Sequence, residues 1–149
     1  MISIVTLSEF HLSLLSTYLF LIPCAVAVFS EITKIAIEYA KTKEIPYDHF
    51  FHSGGFPSSH SAFVTSLLIV VWKKVGLESV EFAISAVFAL IIWYDAVGSR
   101  REIGKQAEAL NKLQRWQHFQ TRIGHSLTEV IGGIVFGAVV TMVGIWLST

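Results

Sequence analysis

Two histidines at the starts of apolar stretches are the residues of this chain best suited to chemistry. His60 lies in the run Gly-Gly-Phe-Pro-Ser-Ser-His-Ser at 54–61, and His125 lies in Gly-His-Ser-Leu-Thr-Glu at 124–129. Two histidines can divide the roles of nucleophile and general acid. Glu129 follows His125 by four residues, so on a helix its carboxylate lies on the same face and can orient the imidazole.

Cationic groups accompany these histidines. Arg100 and Arg101 close the polar run 95–101, which begins with Asp95, and Lys34 follows the first apolar stretch. Guanidinium groups bind phosphate oxygens through paired N–H donors. Helix N-termini, here expected near Ser58 and near Ser126, add free backbone N–H groups and the positive end of a dipole. The residue types therefore fit an anion such as phosphate.

Each of these patterns also has a purely structural interpretation. Ser58 or Ser59 after a glycine pair is a common helix N-cap. Ser126-x-x-Glu129 matches a capping box, a role that can coexist with orientation of His125. Arg100 and Arg101 are also typical anchors at a membrane surface, and Asp95 is then the partner of one of them.

The elements that position these residues are predicted to be membrane-spanning helices. Hydrophobic residues make up 53% of the 149 residues and charged residues only 15%, which excludes an ordinary soluble domain. Four apolar blocks, at 10–30, 56–72, 80–97 and 130–147, approach the roughly 20 residues that cross a bilayer. We expect an all-α integral membrane bundle of four transmembrane helices, forming one domain over residues 1–149. The zero net charge argues against nucleic-acid binding.

Two further patterns concern packing. Apolar residues recur every three or four positions in the segment 99–124, which predicts an amphipathic helix on the membrane surface; they are Ala107, Leu110, Leu113, Trp116, Phe119 and Ile123. Gly133-x-x-x-Gly137 is typical of close helix packing, either within the chain or in a homodimer.

The basic residues predict an orientation. Nine of the eleven lie in the first and third connections between the blocks, and two, Lys73 and Lys74, lie in the second. The positive-inside rule then places both termini outside the cell membrane. The polar clusters at 54–61, 95–101 and 124–129, together with Lys34, fall at one membrane face, which this rule makes the cytoplasmic one.

The motifs together resemble those of a known superfamily. Pro57-Ser58-Ser59-His60 is similar to the Pro-Ser-Gly-His motif of the type 2 phosphatidic acid phosphatases, and His125-x-x-x-Glu129 to their His-x-x-x-Asp. The motifs of a divergent branch, the acid phosphatase/vanadium-dependent haloperoxidase-related proteins, resemble those of this chain more closely. Its motifs resemble, in order, residues 54–62, 94–101, 104–107, 110–111 and 124–130 of this chain.

The resemblance implies a mechanism without a metal or other cofactor. His125 would attack phosphorus and form a phosphohistidine, Glu129 would orient it, and His60 would protonate the leaving oxygen. Lys34, Ser58, Ser59 and one of Arg100 or Arg101 would hold the phosphate. The implied substrate is a lipid-linked phosphate monoester or diphosphate, with its tail among the membrane lipids.

Three departures from the superfamily pattern stand out. Lys41 and Thr42 replace its Arg-Pro after the lysine, and Ser59 replaces its glycine. Ser99-Arg100 lies 25 residues before His125 instead of six. The phosphate-binding arginine is therefore Arg100 or Arg101, with Arg122 as the competitor.

Two other functions fit the same residues. The first is a non-catalytic protein that binds phospholipid head groups through a decayed phosphatase site. The second is a cation-binding membrane protein that uses His60, Asp95, His125 and Glu129 as ligands. The arginine pair argues against the second function, because it would repel a metal.

Overall fold

The computed structural model describes residues 20–43, 54–121 and 123–147. Five helices follow one another in these ranges, and no strand occurs there. They are α1 (Leu21–Thr42), α2 (Ser59–Val75), α3 (Val80–Val97), α4 (Ser99–Leu113) and α5 (Leu127–Leu147). The predicted all-α membrane bundle is confirmed, and α1 extends past Ser30, where the first apolar block ends.

Two helical stretches are long and apolar enough to cross a bilayer by themselves, Val80–Leu113 and Leu127–Leu147. Only 17% and 22% of the most apolar part of these two stretches is buried inside the protein. Ile84 is 65% exposed and Val139 57%, so large aliphatic side chains face outward. A core helix of a soluble protein would bury these side chains, whereas lipid accepts them.

The central helix of the bundle is α2, which packs against α1, α3 and α5. It has only 17 residues and ends at Lys73, Lys74 and Val75. The ammonium group of Lys73 lies 5.1 Å from the centre of the Trp72 ring. This contact suits a short helix whose last turn reaches the membrane interface.

Small residues bring α5 into backbone contact with α2. A Cβ atom added to Gly133 would collide with the carbonyl of Ser58, and one added to Gly137 would lie 2.8 Å from the Cα atom of Ala62. Further along, the Thr141 hydroxyl donates to the Ser66 hydroxyl at 2.7 Å. The Gly133-x-x-x-Gly137 motif therefore packs against a helix of its own chain.

The amphipathic helix predicted for 99–124 is wrong in its second half. Helix α4 ends at Leu113, and the chain turns back because Asn111 binds the backbone of Phe119. Its amide group donates to the Phe119 carbonyl and accepts from the Phe119 N–H, both at 2.8 Å. Ala107 is buried as expected, while Leu113 and Trp116 are each 84% exposed.

The α2–α5 contact predicts that the same substitution destabilises the protein at one glycine of α5 and not at another. Gly137→Ala would lower the free energy of unfolding by about 1–3 kcal/mol, because its Cβ meets rigid backbone of α2. Gly144→Ala is the matched control, because nothing lies within 4 Å of its added Cβ. Thermal unfolding of the purified protein in detergent measures both. Equal stability of the two variants would contradict the packing.

Candidate active site

The start of α5 holds the histidine–carboxylate pair. His125 Nδ1 lies 3.3 Å from Glu129 Oε2. The same Oε2 accepts the Ser126 N–H at 2.8 Å, and the Ser126 hydroxyl accepts the Glu129 N–H at 3.3 Å. These two reciprocal bonds form a capping box. Glu129 thus caps the helix and contacts the imidazole at once, so both interpretations of the motif apply.

The contact with Glu129 determines which ring nitrogen of His125 carries the proton and which one keeps a lone pair. An ionised carboxylate only accepts hydrogen bonds, so Nδ1 carries the proton that it donates to Glu129. Nε2 then keeps a lone pair. The main chain of His125 is held by its N–H, which donates to the carbonyl of Ala96 at the end of α3 at 2.9 Å.

His125 is 4% exposed, and its surroundings favour the neutral ring. Burial lowers the pKa of His125, and the nearby positive charges of Lys34 and His60 lower it further, while the Glu129 carboxylate opposes both effects. The imidazole is therefore unprotonated at neutral pH.

The start of α2 joins this centre through the main chain. Ser58 donates its N–H to the carbonyl of Glu129 at 3.1 Å. Its side chain is fully buried and accepts hydrogen bonds from the N–H and the hydroxyl of Ser61, at 3.4 and 3.0 Å. Ser58 is thus the N-cap of α2, as its structural interpretation predicted. Ser59 is also buried and accepts a bond from Ser30 of α1 at 3.2 Å.

Lys34 reaches this region from α1, where it is 8% exposed. Its aliphatic stem lies against Gly55, where an added Cβ would be 3.2 Å from the lysine Cδ atom. Gly55 also has a φ of 96°, a conformation that favours glycine. The ammonium group lies 3.0 Å from the Glu31 carboxylate.

Glu31 is the residue of this site that sequence reasoning missed. Its carboxylate binds Lys34, accepts a hydrogen bond from Ser59 and interacts electrostatically with His60, which is exposed on α2. The available signal was its spacing: Glu31 precedes Lys34 by three residues on a helix that leaves an apolar block.

Arg100 and Arg101 occupy different surroundings. Arg100 Nε lies 2.6 Å from Asp95 Oδ2, and the charge of Arg100 acts on His60. This pair is five residues apart, which a continuous helix would not favour, but the helical run is interrupted at Gly98. The Arg101 side chain is exposed, and Arg122 lies outside the described residues.

The loop before His125 lies on the start of α4. An added Cβ on Gly124 would be 2.5 Å from the Arg101 nitrogen and 2.8 Å from the Arg100 carbonyl carbon. Gly124 also has a φ of 87°, so its backbone conformation and its contact both require glycine. Arg100 is therefore beside the histidine loop in space, although 25 residues separate Arg100 from His125.

A polar cleft of about 320 Å³ opens at this end of the bundle. Lys34 and Lys41 line it from α1, Gly54 and Gly55 from the loop before α2, and Gly124 and Glu129 from the start of α5. The cleft is large enough for a phosphate-sized group and connects two of the predicted site residues.

The cation-binding interpretation required His60, Asp95, His125 and Glu129 to act together. Over residues 20–43, 54–121 and 123–147, no three histidine, cysteine, aspartate or glutamate side chains are grouped closely enough to hold a metal ion. Asp95 instead faces Arg100.

The fold and the site define an all-helical membrane protein with a histidine–carboxylate pair where its helix ends meet. This chain belongs to the divergent PAP2 family, whose model matches residues 15–140. It is 32% identical to "Uncharacterized membrane protein YuiD" of Bacillus subtilis (strain 168), over 89% of this chain and 96% of that protein. No solved structure matches the chain significantly.

The geometry at His125 predicts a result for Glu129→Gln. Glutamine serves in a capping box as well as glutamate, so α5 keeps its cap. The loss of the negative charge removes the effect that raises the pKa of His125, so this pKa falls further. An NMR titration of the ring measures it. Glu108→Gln, on the exposed face of α4, is the control and leaves the His125 titration unchanged. An unchanged titration in Glu129→Gln would disprove the coupling.

Proposed function

We propose that this protein is an integral-membrane phosphatase that hydrolyses a lipid-linked phosphate monoester or diphosphate through a phosphohistidine. The observation that carries the proposal is the geometry of His125, which is buried, neutral and bound through Nδ1 to Glu129. A neutral imidazole with an oriented, free Nε2 is an activated nucleophile. Membership in the divergent PAP2 family supports phosphatase-related chemistry.

In the first step, Nε2 of His125 attacks phosphorus while the bond from phosphorus to the lipid oxygen breaks. His60 donates a proton to that oxygen, and the lipid alcohol or lipid monophosphate leaves. In the second step, neutral His60 takes a proton from water, which attacks the phosphohistidine and releases inorganic phosphate. His125 and His60 return to their starting states, so the cycle consumes only water.

The phosphate oxygens are held by Lys34 and Ser59, which exchange their contacts with Glu31 for the phosphate, and by backbone N–H groups at the start of α2. Helix N-termini and fixed cations stabilise the charge that spreads over the equatorial oxygens in the transition state. Ser58 contributes through its capping role, in which its hydroxyl oxygen accepts two hydrogen bonds from Ser61. No metal is required for these steps.

We also propose that the site faces the cytoplasm and that both termini lie outside. The nine-to-two distribution of basic residues between the connections supports this orientation. Single cysteines at Gln106 and at Glu78, both exposed and on opposite connections, test it in a Cys24→Ser background. An impermeant thiol reagent should reach only Glu78→Cys in intact cells.

The decisive assay is phosphate release from a lipid phosphate by the purified protein, with and without a chelator. We expect release in both conditions and no turnover by His125→Ala. The midpoint of the acid limb of kcat/KM should lie below the ordinary pKa of histidine, because burial lowers the pKa of the His125 nucleophile. His60→Ala should slow natural substrates about 10²–10⁴-fold and activated esters much less. Equal losses for both substrates would exclude His60 as the acid.

Arg100 is the proposed second cation beside Lys34, because its charge acts on His60 and its Nη groups are separate from the Nε that Asp95 engages. Arg100→Ala should remove most activity, and Arg100→Lys should not restore it, since lysine lacks the paired donors. Arg101→Ala, at the adjacent exposed position, is the control and should retain activity. Full activity of Arg100→Ala would transfer this role to Arg101 or Arg122.

The second candidate function is binding of phospholipid head groups without hydrolysis. The ion pair of Arg100 with Asp95 and the capping of α2 by Ser58 favour it, because both take groups that a phosphatase would use on its substrate. Phosphate-dependent lipid binding by a purified protein that releases no phosphate would establish this function.

A further inference from the structure

An apolar groove runs along the outer side of the bundle between α1 and α2, with a volume of about 410 Å³. Its polar lining residues are Glu31, Ser59 and His60, and the remaining ones are Ala27, Val28, Ile32, Ile35 and Phe63. The groove therefore meets the candidate site at Glu31, Ser59 and His60.

The helix directions place the apolar part of the groove farther from the candidate site, along the helix axes, than the polar part. Helix α1 runs toward the site and α2 runs away from it, because Lys34 lies late in α1 and Ser59 begins α2. Val28 is almost one turn before Glu31, and Phe63 is about one turn beyond His60. Both lie on the side away from the polar cleft.

We propose that this groove binds the hydrocarbon chain of the lipid whose phosphate group occupies the site. The proposal rests on the proposed function and adds where the substrate lies: its chain runs between α1 and α2, and its phosphate ester lies at His60. A hydrocarbon chain bound in this groove would place the leaving oxygen of the lipid beside His60.

The chemistry of the groove favours a hydrocarbon chain as its occupant. Val28 and Ile32 are 59% and 55% exposed, so the groove is open along the face that lipid surrounds. Aliphatic side chains there gain little from a second protein helix, because lipid is equally apolar. A chain with a phosphate at one end matches both the apolar wall and the polar end at Ser59 and His60.

A second apolar groove, between α1 and α5, provides an internal comparison. It is larger, about 650 Å³, and is lined by Val135, Val139 and Phe56 among others. None of its lining residues is a predicted site residue. A hydrocarbon chain bound in that groove would have no direct contact with His60, Lys34 or His125.

The first test uses tryptophan to fill each groove. Val28→Trp should raise KM for a long-chain lipid phosphate about ten-fold or more, because a blocked pocket discriminates at least as strongly as one methylene does. KM for a water-soluble phosphate ester should stay unchanged. Val135→Trp is the matched control, since Val135 is 57% exposed against 59% for Val28, and should change neither constant. Ile32→Trp repeats the test in case Val28→Trp fails to fold.

The second test does not require turnover. A lipid phosphate with a diazirine on its chain is photo-crosslinked to the His125→Ala protein in vesicles, and the labelled peptides are mapped by mass spectrometry. We expect labels at 27–35 and at Phe63 that an excess of unlabelled lipid phosphate displaces, whereas an excess of neutral lipid does not.

The outcomes separate the groove from the proposed function. Displaceable labelling of the groove without phosphate release by the wild-type protein would refute catalysis and keep the groove. Phosphate release with labels at 135–140, or with uniform labels that no lipid phosphate displaces, would refute the groove and keep catalysis. An unchanged KM in both Val28→Trp and Ile32→Trp would also refute the groove.

Discussion

Helices α2 and α5 touch through their backbones at two glycines. Gly133 and Gly137 have no side chain, so the α5 backbone reaches the carbonyls of Ser58 and Ala62. This close approach lets the Ser58 N–H bind the Glu129 carbonyl at 3.1 Å, which connects the N-termini of the two helices. His60 and His125 therefore lie at helix starts that are joined, and the charge of His60 acts on His125.

Lipid gives little drive for helices to associate, so the contacts of this bundle come from close packing and hydrogen bonds. The buried residues are accordingly small, and many are serine or threonine, with bonds such as Ser30–Ser59 and Thr141–Ser66 across helices. Charges follow a related rule: Lys34 is paired with Glu31, and Arg100 with Asp95. An isolated cation at the edge of a bilayer is costly, and each carboxylate reduces that cost.

Much of the fold could be predicted from the sequence because the patterns that determine it are local. Apolar blocks gave α2, α3 and α5, and Ser126 and Glu129 form the capping box that their spacing indicates. The errors arose where distant residues decide the outcome. Asn111 ends the helical pattern of 99–124 by binding the Phe119 backbone eight residues away, which periodicity does not show. Glu31 was overlooked because its partners on α2 become neighbours only after α1 and α2 pack.

The separation between Arg100 and His125 was the largest departure of the sequence from its superfamily, and the fold gives it a simple geometry. Helix α4 begins at Ser99 and leads away from this region, and Thr121 and Ile123 lie back beside it. The carbonyls of Thr121 and Ile123 lie so close to Gly104 that an added Cβ would be 2.7 and 2.9 Å from them. Gly124 then rests on the backbone of Arg100 and Arg101, and the His125 N–H binds the Ala96 carbonyl. The stretch of chain between Arg100 and His125 therefore begins and ends in the same region. A long insertion between an arginine and a histidine thus preserves their proximity. Such an insertion is compatible with an intact site as long as Gly104 and Gly124 allow the two backbones to touch.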